Sequence, residues 1–205
     1  MKVEAGRGQR KAGVRWLWLL SAMVVGSIVA IGLRAFLPSG TGASMERPRI
    51  SGDFSLVAMD GESVAWSQLG GRRQLVFFGF SHCPEVCPTT LLNASRALAL
   101  RGTAESDTRI LFISVDPGRD TPQRLRDYVA PFGPAVRGFT GDAAGVAAAA
   151  RAFNVYYEQM APMDDGSYMV EHTATMFLLG PDDEILDLIP YGASAAEIAD
   201  VLARH

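Results

Sequence analysis

Hydrophobic residues in the middle of the chain form two continuous runs instead of alternating with polar residues. Residues 75–80 and 109–115 are almost wholly apolar, which is typical of strands buried on both faces of a sheet. Residues 89–100 follow the first run with a helical composition. Asp120-Thr121-Pro122 follows the second and predicts a helix that continues to residue 129. We therefore expect a central sheet whose strands alternate with helices.

The flanking regions carry the turn and helix signals of smaller elements. Asp60-Gly61 separates two strand-like segments, and residues 180–183 separate another two. The predicted elements are a hairpin over 54–59 and 62–65, a strand over 136–140, a helix over 143–153, a strand over 154–157, a hairpin over 173–179 and 184–190, and a helix over 193–203 capped near Ser194. This order predicts an α/β sandwich of the thioredoxin type, in which the chemistry lies where a central strand gives way to a helix.

The N-terminal segment has the pattern of a membrane anchor. Residues 1–15 are basic, and residues 16–33 carry no charge, with Trp16 and Trp18 where an interfacial belt would lie. We predict a cytoplasmic arm over 1–15 and a transmembrane helix over 16–37, so that the remainder lies across the membrane. A cleaved signal peptide is the alternative. The tryptophan-rich start and the lack of a clear small-x-small cleavage motif disfavour it.

Composition after the anchor predicts a linker and one further domain. Residues 38–49 are rich in Gly, Ser and Pro, and residues 50–205 have the size of a single domain. The whole chain has a net charge of −3, and the basic arm contributes +4, which leaves −7 for residues 16–205. An acidic outer domain argues against nucleic acid and anionic lipid as partners.

The two cysteines of the chain, Cys83 and Cys87, stand four residues apart between the first apolar run and its helix. If both occupied the first helical turn with Pro84, their sulfurs would lie on one side, and the positive helix end would lower both thiol pKa values. A disulfide across so short a loop stabilises little, so we expect a functional pair. Such thiolates can form a redox-active disulfide, attack one in a partner, or hold a soft metal ion such as Cu(I) or zinc.

Three histidines differ in their expected roles. His172 precedes the predicted strand over 173–179, and we expect it in a loop facing the cysteine turn, where it is the candidate imidazole for a three-coordinate copper or zinc site. Spacing alone favours the alternative, a surface or hydrogen-bonded imidazole. His82 is expected to point away along its strand with a structural role, and the C-terminal His205 is expected to be frayed.

Asp116 and Asp120 follow the second apolar run. Helix capping is one interpretation, and an acidic wall near the sulfurs that docks partners or handles metal is the other. We favour capping for Asp120 and leave both open for Asp116. Met160, Met163 and Met169 surround a predicted loop. Their thioethers could bind Cu(I), although loop and core packing are commoner roles.

Four segments together resemble the Sco/SenC family: residues 78–88, which contain Cys83-Pro84-Glu85-Val86-Cys87, and residues 114–128, 140–141 and 168–179. The resemblance covers roughly residues 50–205. It implies a membrane-anchored, thioredoxin-fold copper protein whose metal ligands are Cys83, Cys87 and His172, with Asp116 and Asp120 matching the family's aspartates. Glu85 stands where the family usually has Asp, and Glu171-His172-Thr173 where Asp-His-Ser is common. Neither departure removes a ligand.

The resemblance implies a metallochaperone rather than an enzyme. Such a protein would bind one copper ion, as Cu(I) or Cu(II), and deliver it to the binuclear copper centre of a cytochrome c oxidase subunit during assembly. We expect it in a bacterial inner membrane with its soluble domain in the periplasm, served by an upstream copper donor or a thiol reductant. The alternative is a thiol–disulfide oxidoreductase or redox sensor acting on the cysteines of the same subunit, which would not need His172. A peroxidase is a weaker third interpretation.

Overall fold

The computed structural model describes residues 47–102 and 107–205, together with Met23 and Gly32. The predicted arm, the anchor over 16–37 apart from Met23 and Gly32, and most of the linker lie outside the described residues. Within the part of the chain that is described, no helix has both the length and the apolar character needed to cross a membrane. Residues 48–50 already pair with the following domain, since Ile50 N donates to Asp183 O (2.9 Å) and Ile185 N donates to Pro48 O (2.8 Å).

The described residues form an α/β domain. Its elements in chain order are β1 (Ser55–Ala58), β2 (Ser63–Ala65), β3 (Arg73–Gly79), α1 (Val86–Arg101), β4 (Thr108–Ser114), α2 (Pro122–Val129), β5 (Val136–Thr140), α3 (Ala143–Ala152), β6 (Tyr157–Gln159), β7 (Val170–His172), β8 (Met176–Leu179), β9 (Ile185–Ile189) and α4 (Ala195–Arg204). Short 3-10 turns follow β2 and α2. The predicted alternation of strands and helices is confirmed.

Seven of these strands form one sheet in the spatial order β2-β1-β5-β4-β3-β8-β9. β3 runs parallel to β4, and β4 runs parallel to β5, whereas β8 is antiparallel to β3. The two continuous apolar runs are therefore the central strands, as predicted. Because β3 and β4 are parallel, their carboxyl ends reach the same edge of the sheet. The cysteine turn and the aspartate loop follow these two ends.

The two faces of β3 pack into different aromatic groups, because successive side chains of a strand point to opposite faces. On one face Phe78 meets Phe153 edge to face with ring centroids 5.2 Å apart. On the other face Phe77 lies 6.2 Å from Phe112 and 6.1 Å from the ring of His172. Phe77, Phe78 and Phe80 are all buried in the core. The Phe77 face is the one that carries His172.

The termini of the helices follow local sequence signals. Ser194 caps α4 as predicted, because its hydroxyl accepts from Glu197 N and the Glu197 carboxylate accepts from Ser194 N (2.8 Å). Asp142 caps α3 in the same manner through Gly145 N (2.7 Å). The prediction that His205 is frayed is wrong: its Nε2 lies 3.5 Å from Asp187 Oδ2, and its side chain is only 16% exposed.

A second, two-stranded sheet was not predicted. The strand expected over 154–157 is displaced to β6 (Tyr157–Gln159), which pairs antiparallel with β7 (Val170–His172) so that Tyr157 faces His172. Consequently His172 lies in a short strand and not in a loop. The hairpin predicted over 173–179 and 184–190 is present as β8 and β9, and its first strand begins at Met176.

Candidate metal centre

The cysteine turn connects β3 to α1, and its two cysteines lie in different local structures. Cys83 precedes the helix, with its N–H donating to Phe80 O (3.2 Å), whereas Cys87 is in the first turn of α1. The prediction that both cysteines and Pro84 occupy the first helical turn is therefore wrong. The sulfurs converge in another way: the backbone N–H of Cys87 donates to Cys83 Sγ (3.4 Å). Cys83 Sγ thus takes the place of an N-cap acceptor, because Glu85 at the cap position makes no side-chain cap bond.

The Cys87 sulfur lies directly over the backbone of Gly79, the last residue of β3. A Cβ atom at Gly79 would be 2.8 Å from Cys87 Sγ and 2.7 Å from Phe112 Cε2, closer than side-chain atoms normally approach. Cys87 is fully buried, and Cys83 is 7% exposed. Sequence reasoning did not identify Gly79, although a glycine inside an otherwise apolar strand is a known signal of a close approach.

The two thiols have opposite pKa shifts. Hydrogen bonding by the Cys87 thiol, followed by the backbone N–H groups at the start of α1, lowers the pKa of Cys83 to about 5 against the opposing effect of burial. The pKa of Cys87 is raised, first because it donates to Cys83 and second because it is buried. The prediction that the helix end lowers both values is therefore correct for Cys83 and wrong for Cys87. At neutral pH the pair holds one proton, on Cys87.

His172 approaches the sulfurs from the β6–β7 hairpin. Its Nε2 lies 3.8 Å from Cys87 Sγ, and its Nδ1 lies 3.1 Å from Thr173 O. A carbonyl oxygen only accepts, so Nδ1 carries the ring proton and Nε2 presents its lone pair toward Cys87. The ring is half-buried and meets Phe80 edge to face at 5.9 Å. The predicted convergence of a distant imidazole with the cysteine turn is present in the structure.

Asp120 holds the beginning of the cysteine turn. It is fully buried, and its carboxylate accepts from Ser81 N (2.9 Å), Ser81 Oγ (2.5 Å) and Ser114 Oγ (2.6 Å). The capping role favoured for Asp120 is wrong, because Thr121 caps α2 by accepting from Arg124 N (3.2 Å). A buried carboxylate that accepts three hydrogen bonds restricts the movement of Ser81. Ser81 lies two residues before Cys83.

Asp116, at the end of β4, is 5% exposed and accepts from Arg119 and Tyr168. Neither it nor Asp120 caps α2. Because both carboxylates point into the interior, an exposed acidic wall does not describe their position. Their predicted part in handling metal or partners has no test here and stays a prediction. Arg119 and Tyr168 were not singled out from the sequence, since their contact joins residues 49 positions apart.

A second group of ligand-type atoms surrounds His82. One donor atom each of His82, Asp116 and Asp120 lies within 4.8 Å of the others. His82 Nδ1 is 3.2 Å from Ser81 Oγ, and its Nε2 is 3.4 Å from Arg124 Nη2, in keeping with the structural role predicted for it. The carboxylates of this group are already occupied by hydrogen bonds, and the group contains no sulfur. It is therefore a poorer site for a soft metal than the cysteine pair with His172.

The three methionines of the β6–β7 hairpin are exposed. Met160 is 45%, Met163 52% and Met169 37% exposed, and Met160 N donates to Met169 O (2.9 Å). Met169 immediately precedes β7. A part for these thioethers in binding Cu(I) stays a prediction.

Comparisons with known proteins show the family and the fold of the chain. The family model described as SCO1/SenC matches residues 42–205. The mitochondrial protein named "Protein SCO1 homolog" of Mus musculus is 34% identical over 212 residues, covering 98% of this chain and 75% of that relative. The crystal structure of Arabidopsis thaliana ScoI with copper bound has a TM-score of 0.70 and 33% identity, covering 76% of this chain and 96% of that one. For Bradyrhizobium japonicum ScoI with copper bound the TM-score is 0.68 and the identity 36%, covering 75% of this chain and 97% of that one.

These matches extend over the whole described domain, and they show sequence identity in addition to a similar fold. The mixed α/β, thioredoxin-like fold is that of the copper-bound Sco structures, and the resemblance drawn from the sequence motifs is confirmed. The chain belongs to the SCO1/SenC family.

Proposed function

We propose that the protein is a copper chaperone that binds one copper ion through Cys83, Cys87 and His172 and delivers it to the binuclear copper centre of cytochrome c oxidase. The observation that carries this proposal is the 3.8 Å separation of His172 Nε2 and Cys87 Sγ, at a turn where the Cys83 sulfur also lies. Copper-bound structures of relatives support the choice of metal.

The donor atoms fit a soft, low-coordinate ion. An ion that bonds thiolate sulfur at about 2.3 Å and imidazole nitrogen at about 2.0 Å, with an angle near 120°, separates the two atoms by about 3.7 to 3.8 Å. The observed separation of 3.8 Å is of this size. His172 presents the correct nitrogen without a change of tautomer, because its other nitrogen donates to Thr173 O. Two thiolates and one imidazole favour copper over hard ions.

The thiol protons set the conditions for binding. Cys83 is ionised at neutral pH, since its pKa is lowered to about 5, whereas Cys87 must lose its proton as the ion arrives. The ion would then have few ligands, and the exposed residues Pro84 and Glu85 before α1 leave room for a partner to approach from the side of Cys83. A copper ion with few ligands is transferable, because a partner's thiolate or imidazole can bind before the last ligand of this chain leaves.

The ligand set is tested by titrating the full-length chain in detergent with copper against a chromophoric chelator. We expect one tight copper per chain, its loss in the Cys83→Ser, Cys87→Ser variant, and a weaker affinity in His172→Ala. His205→Ala is the matched control, because His205 pairs with Asp187 and lies outside the proposed ligand set. Tight binding of one copper by the double serine variant would refute this site.

Delivery is tested with the copper-depleted oxidase subunit. We expect the copper-loaded chain to restore the absorption of the binuclear centre, and the His172→Ala chain to lose its copper to a chelator before transfer. A reconstitution rate equal to that of free copper, in the presence of the chelator, would contradict the chaperone role.

A second function, thiol–disulfide exchange, is favoured by the unequal pair of thiols. The Cys83 thiolate would attack a partner disulfide and form a mixed disulfide, and Cys87 would then displace the partner's second thiolate. The partner would be reduced by two electrons, and this chain would be left with a Cys83–Cys87 disulfide. The low pKa of Cys83 and the protonated Cys87 suit an attacking and a resolving thiol.

His172 separates the two functions, since disulfide exchange does not require an imidazole ligand. If His172→Ala keeps copper affinity and supports oxidase assembly as well as the natural chain does, the exchange function is favoured. If it loses both while its rate of disulfide exchange is unchanged, the chaperone function is favoured.

We further propose that residues 16–37 anchor the chain in a bacterial inner membrane, with residues 50–205 in the periplasm. The support is the uncharged run over 16–33 behind a basic arm. Protease added to spheroplasts should digest the domain of an anchored chain and leave the arm protected. Release of the intact chain by alkaline carbonate would contradict the anchor.

A further inference from the structure

We propose that Tyr168, Arg119 and Asp116 form a clamp that positions His172 against the cysteine turn, and that this clamp sets how much of the copper affinity the imidazole provides. The inference rests on the proposed copper site and adds three positioning residues to it. None of the three is a ligand.

Each member of the clamp contacts the other two. The Tyr168 hydroxyl donates to Asp116 Oδ1 (2.9 Å), and Arg119 Nε donates to Asp116 Oδ2 (2.5 Å). Arg119 Nη1 donates to Tyr168 O (3.0 Å), and its guanidinium carbon lies 3.5 Å from the centroid of the Tyr168 ring. Arg119 therefore holds both the backbone and the ring of Tyr168.

The clamp is largely screened from water. Asp116 is 5% exposed and the side chain of Arg119 is 20% exposed, so their ion pair is weakened little by solvent. Arg119 Nη2 is buried and has no hydrogen-bond partner among the described residues. The guanidinium also contacts Phe80, whose ring centroid is 5.8 Å from its central carbon.

The hairpin that carries His172 has a small sheet of its own. β7 has three residues and, among the described strands, pairs with β6 alone in a sheet separate from the seven-stranded one. A two-stranded hairpin is marginally stable by itself. Tyr168 lies two residues before β7 and four before His172, so the clamp fixes the chain where it enters the ligand strand. Arg119 also touches Phe80, the ring that meets His172 at 5.9 Å.

The clamp is also linked to the cysteine turn, through the loop that follows β4. Asp116 and Asp120 belong to one short loop after β4, in which Asp120 N donates to Asp116 O (2.9 Å). Asp120 holds Ser81 at the start of the cysteine turn, and Asp116 holds Tyr168 beside the histidine strand. One loop thus fixes both halves of the site, and it determines the separation between His172 and the sulfurs.

This arrangement makes a specific prediction about coupling. Loosening the clamp should remove the contribution of His172 to copper binding and leave that of the two thiolates. The loss of affinity should therefore depend on the presence of His172, as measured by a double-mutant cycle. A residue that merely stabilises the fold would weaken copper binding equally with and without His172.

The experiment titrates the full-length chain with Cu(I) and Cu(II) in four forms: natural, Tyr168→Phe, His172→Ala, and both together. Tyr168→Phe removes one hydrogen bond of the clamp and keeps the ring. Arg119→Lys is tested alone and combined with His172→Ala. It removes the stacking on the Tyr168 ring and the hydrogen bond to Tyr168 O. Tyr156→Phe is the matched control, because Tyr156 is exposed on the same hairpin and its hydroxyl donates to Glu158 instead of the clamp.

We expect each clamp variant to lower copper affinity about tenfold in the natural chain, as is usual for residues that orient a ligand, and to have no further effect once His172 is alanine. The nitrogen hyperfine splitting in the Cu(II) spectrum should weaken while the sulfur charge-transfer band remains. Equal losses in both backgrounds, or unchanged affinity in both clamp variants, would overturn the clamp. If His172→Ala alone changes neither affinity nor nitrogen splitting, the proposed ligand set fails instead.

Discussion

Substitution of Gly79 by alanine should move the Cys87 sulfur and weaken the copper site. The added Cβ would lie 2.8 Å from Cys87 Sγ, and ordinary contacts begin at 3.4 Å, so relief requires a displacement of about 0.6 Å. Metal–ligand distances tolerate deviations of about 0.2 Å. We therefore expect copper affinity to fall about 10- to 100-fold, and the free energy of unfolding to fall by about 1–3 kcal/mol, since Phe112 at 2.7 Å is also overpacked.

Urea unfolding measures the stability of the variant, and chelator competition measures its copper affinity, both on the full-length chain. Gly141→Ala is the matched control, because the nearest atom to a Cβ at Gly141 is 3.7 Å away and neither glycine has a left-handed backbone. We expect the control to change neither quantity appreciably. If the Gly79→Ala chain were destabilised but bound copper with wild-type affinity, the argument would be refuted. That result would mean that only Phe112 is displaced and that the Cys87 sulfur does not move.

Three further predictions concern protons, a buried carboxylate and a helix cap. In a His172→Ala background, where only thiol protons count, copper affinity should fall about tenfold per pH unit between pH 8 and pH 6: binding expels one proton from Cys87, and Cys83, with a pKa of about 5, is already ionised. A slope of two for the logarithm of copper affinity against pH in this window, measured by chelator competition, would mean that both thiols are protonated. Asp120→Asn should lower the free energy of unfolding by about 3 kcal/mol, because an amide nitrogen would face donors that the carboxylate now accepts; a loss under 1 kcal/mol in urea would contradict this. Ser194→Ala should cost about 1 kcal/mol through loss of the cap on α4, with no change in copper affinity, and a change in that affinity would argue against a purely local effect.

The sequence predicted most of the sheet, because its central strands are long and carry unambiguous patterns. β3 and β4 are continuous apolar runs, and the hairpin of β8 and β9 is marked by a strong turn. β6 was expected three residues too early and β7 was missed, because each has three residues with a central glutamate and a neighbouring methionine, which carry no strand signal. The start of α1 was misjudged because Pro84 suits a first helical turn, whereas the chain begins the helix two residues later, at Val86.

Within the candidate site, residue types were predictable and their contacts were not. The spacing of Cys83 and Cys87 and the position of His172 before a buried strand indicated the three donors. The opposite pKa shifts of the thiols depend on which sulfur lies outside the helix, and that detail follows from tertiary geometry. Asp120 was assigned to a cap by its place in the sequence, but an adjacent threonine performs that role equally well and leaves the aspartate free to hold Ser81.

The inequality of the two sulfurs gives a proposed order for copper entry. Cys83 is a thiolate just outside the helix and retains some exposure, whereas Cys87 is protonated, fully buried and lies over Gly79. An arriving ion therefore meets Cys83 first, because only that sulfur is both charged and reachable. In the proposed site, binding to Cys87 would follow when its proton leaves, and its neighbour His172 would then close the coordination from the hairpin held by Tyr168. Release in the reverse order would begin with the imidazole, since β7 belongs to a two-stranded sheet separate from the seven-stranded one. On this argument the clamp governs departure of the ion, while the pKa of Cys83 governs its capture.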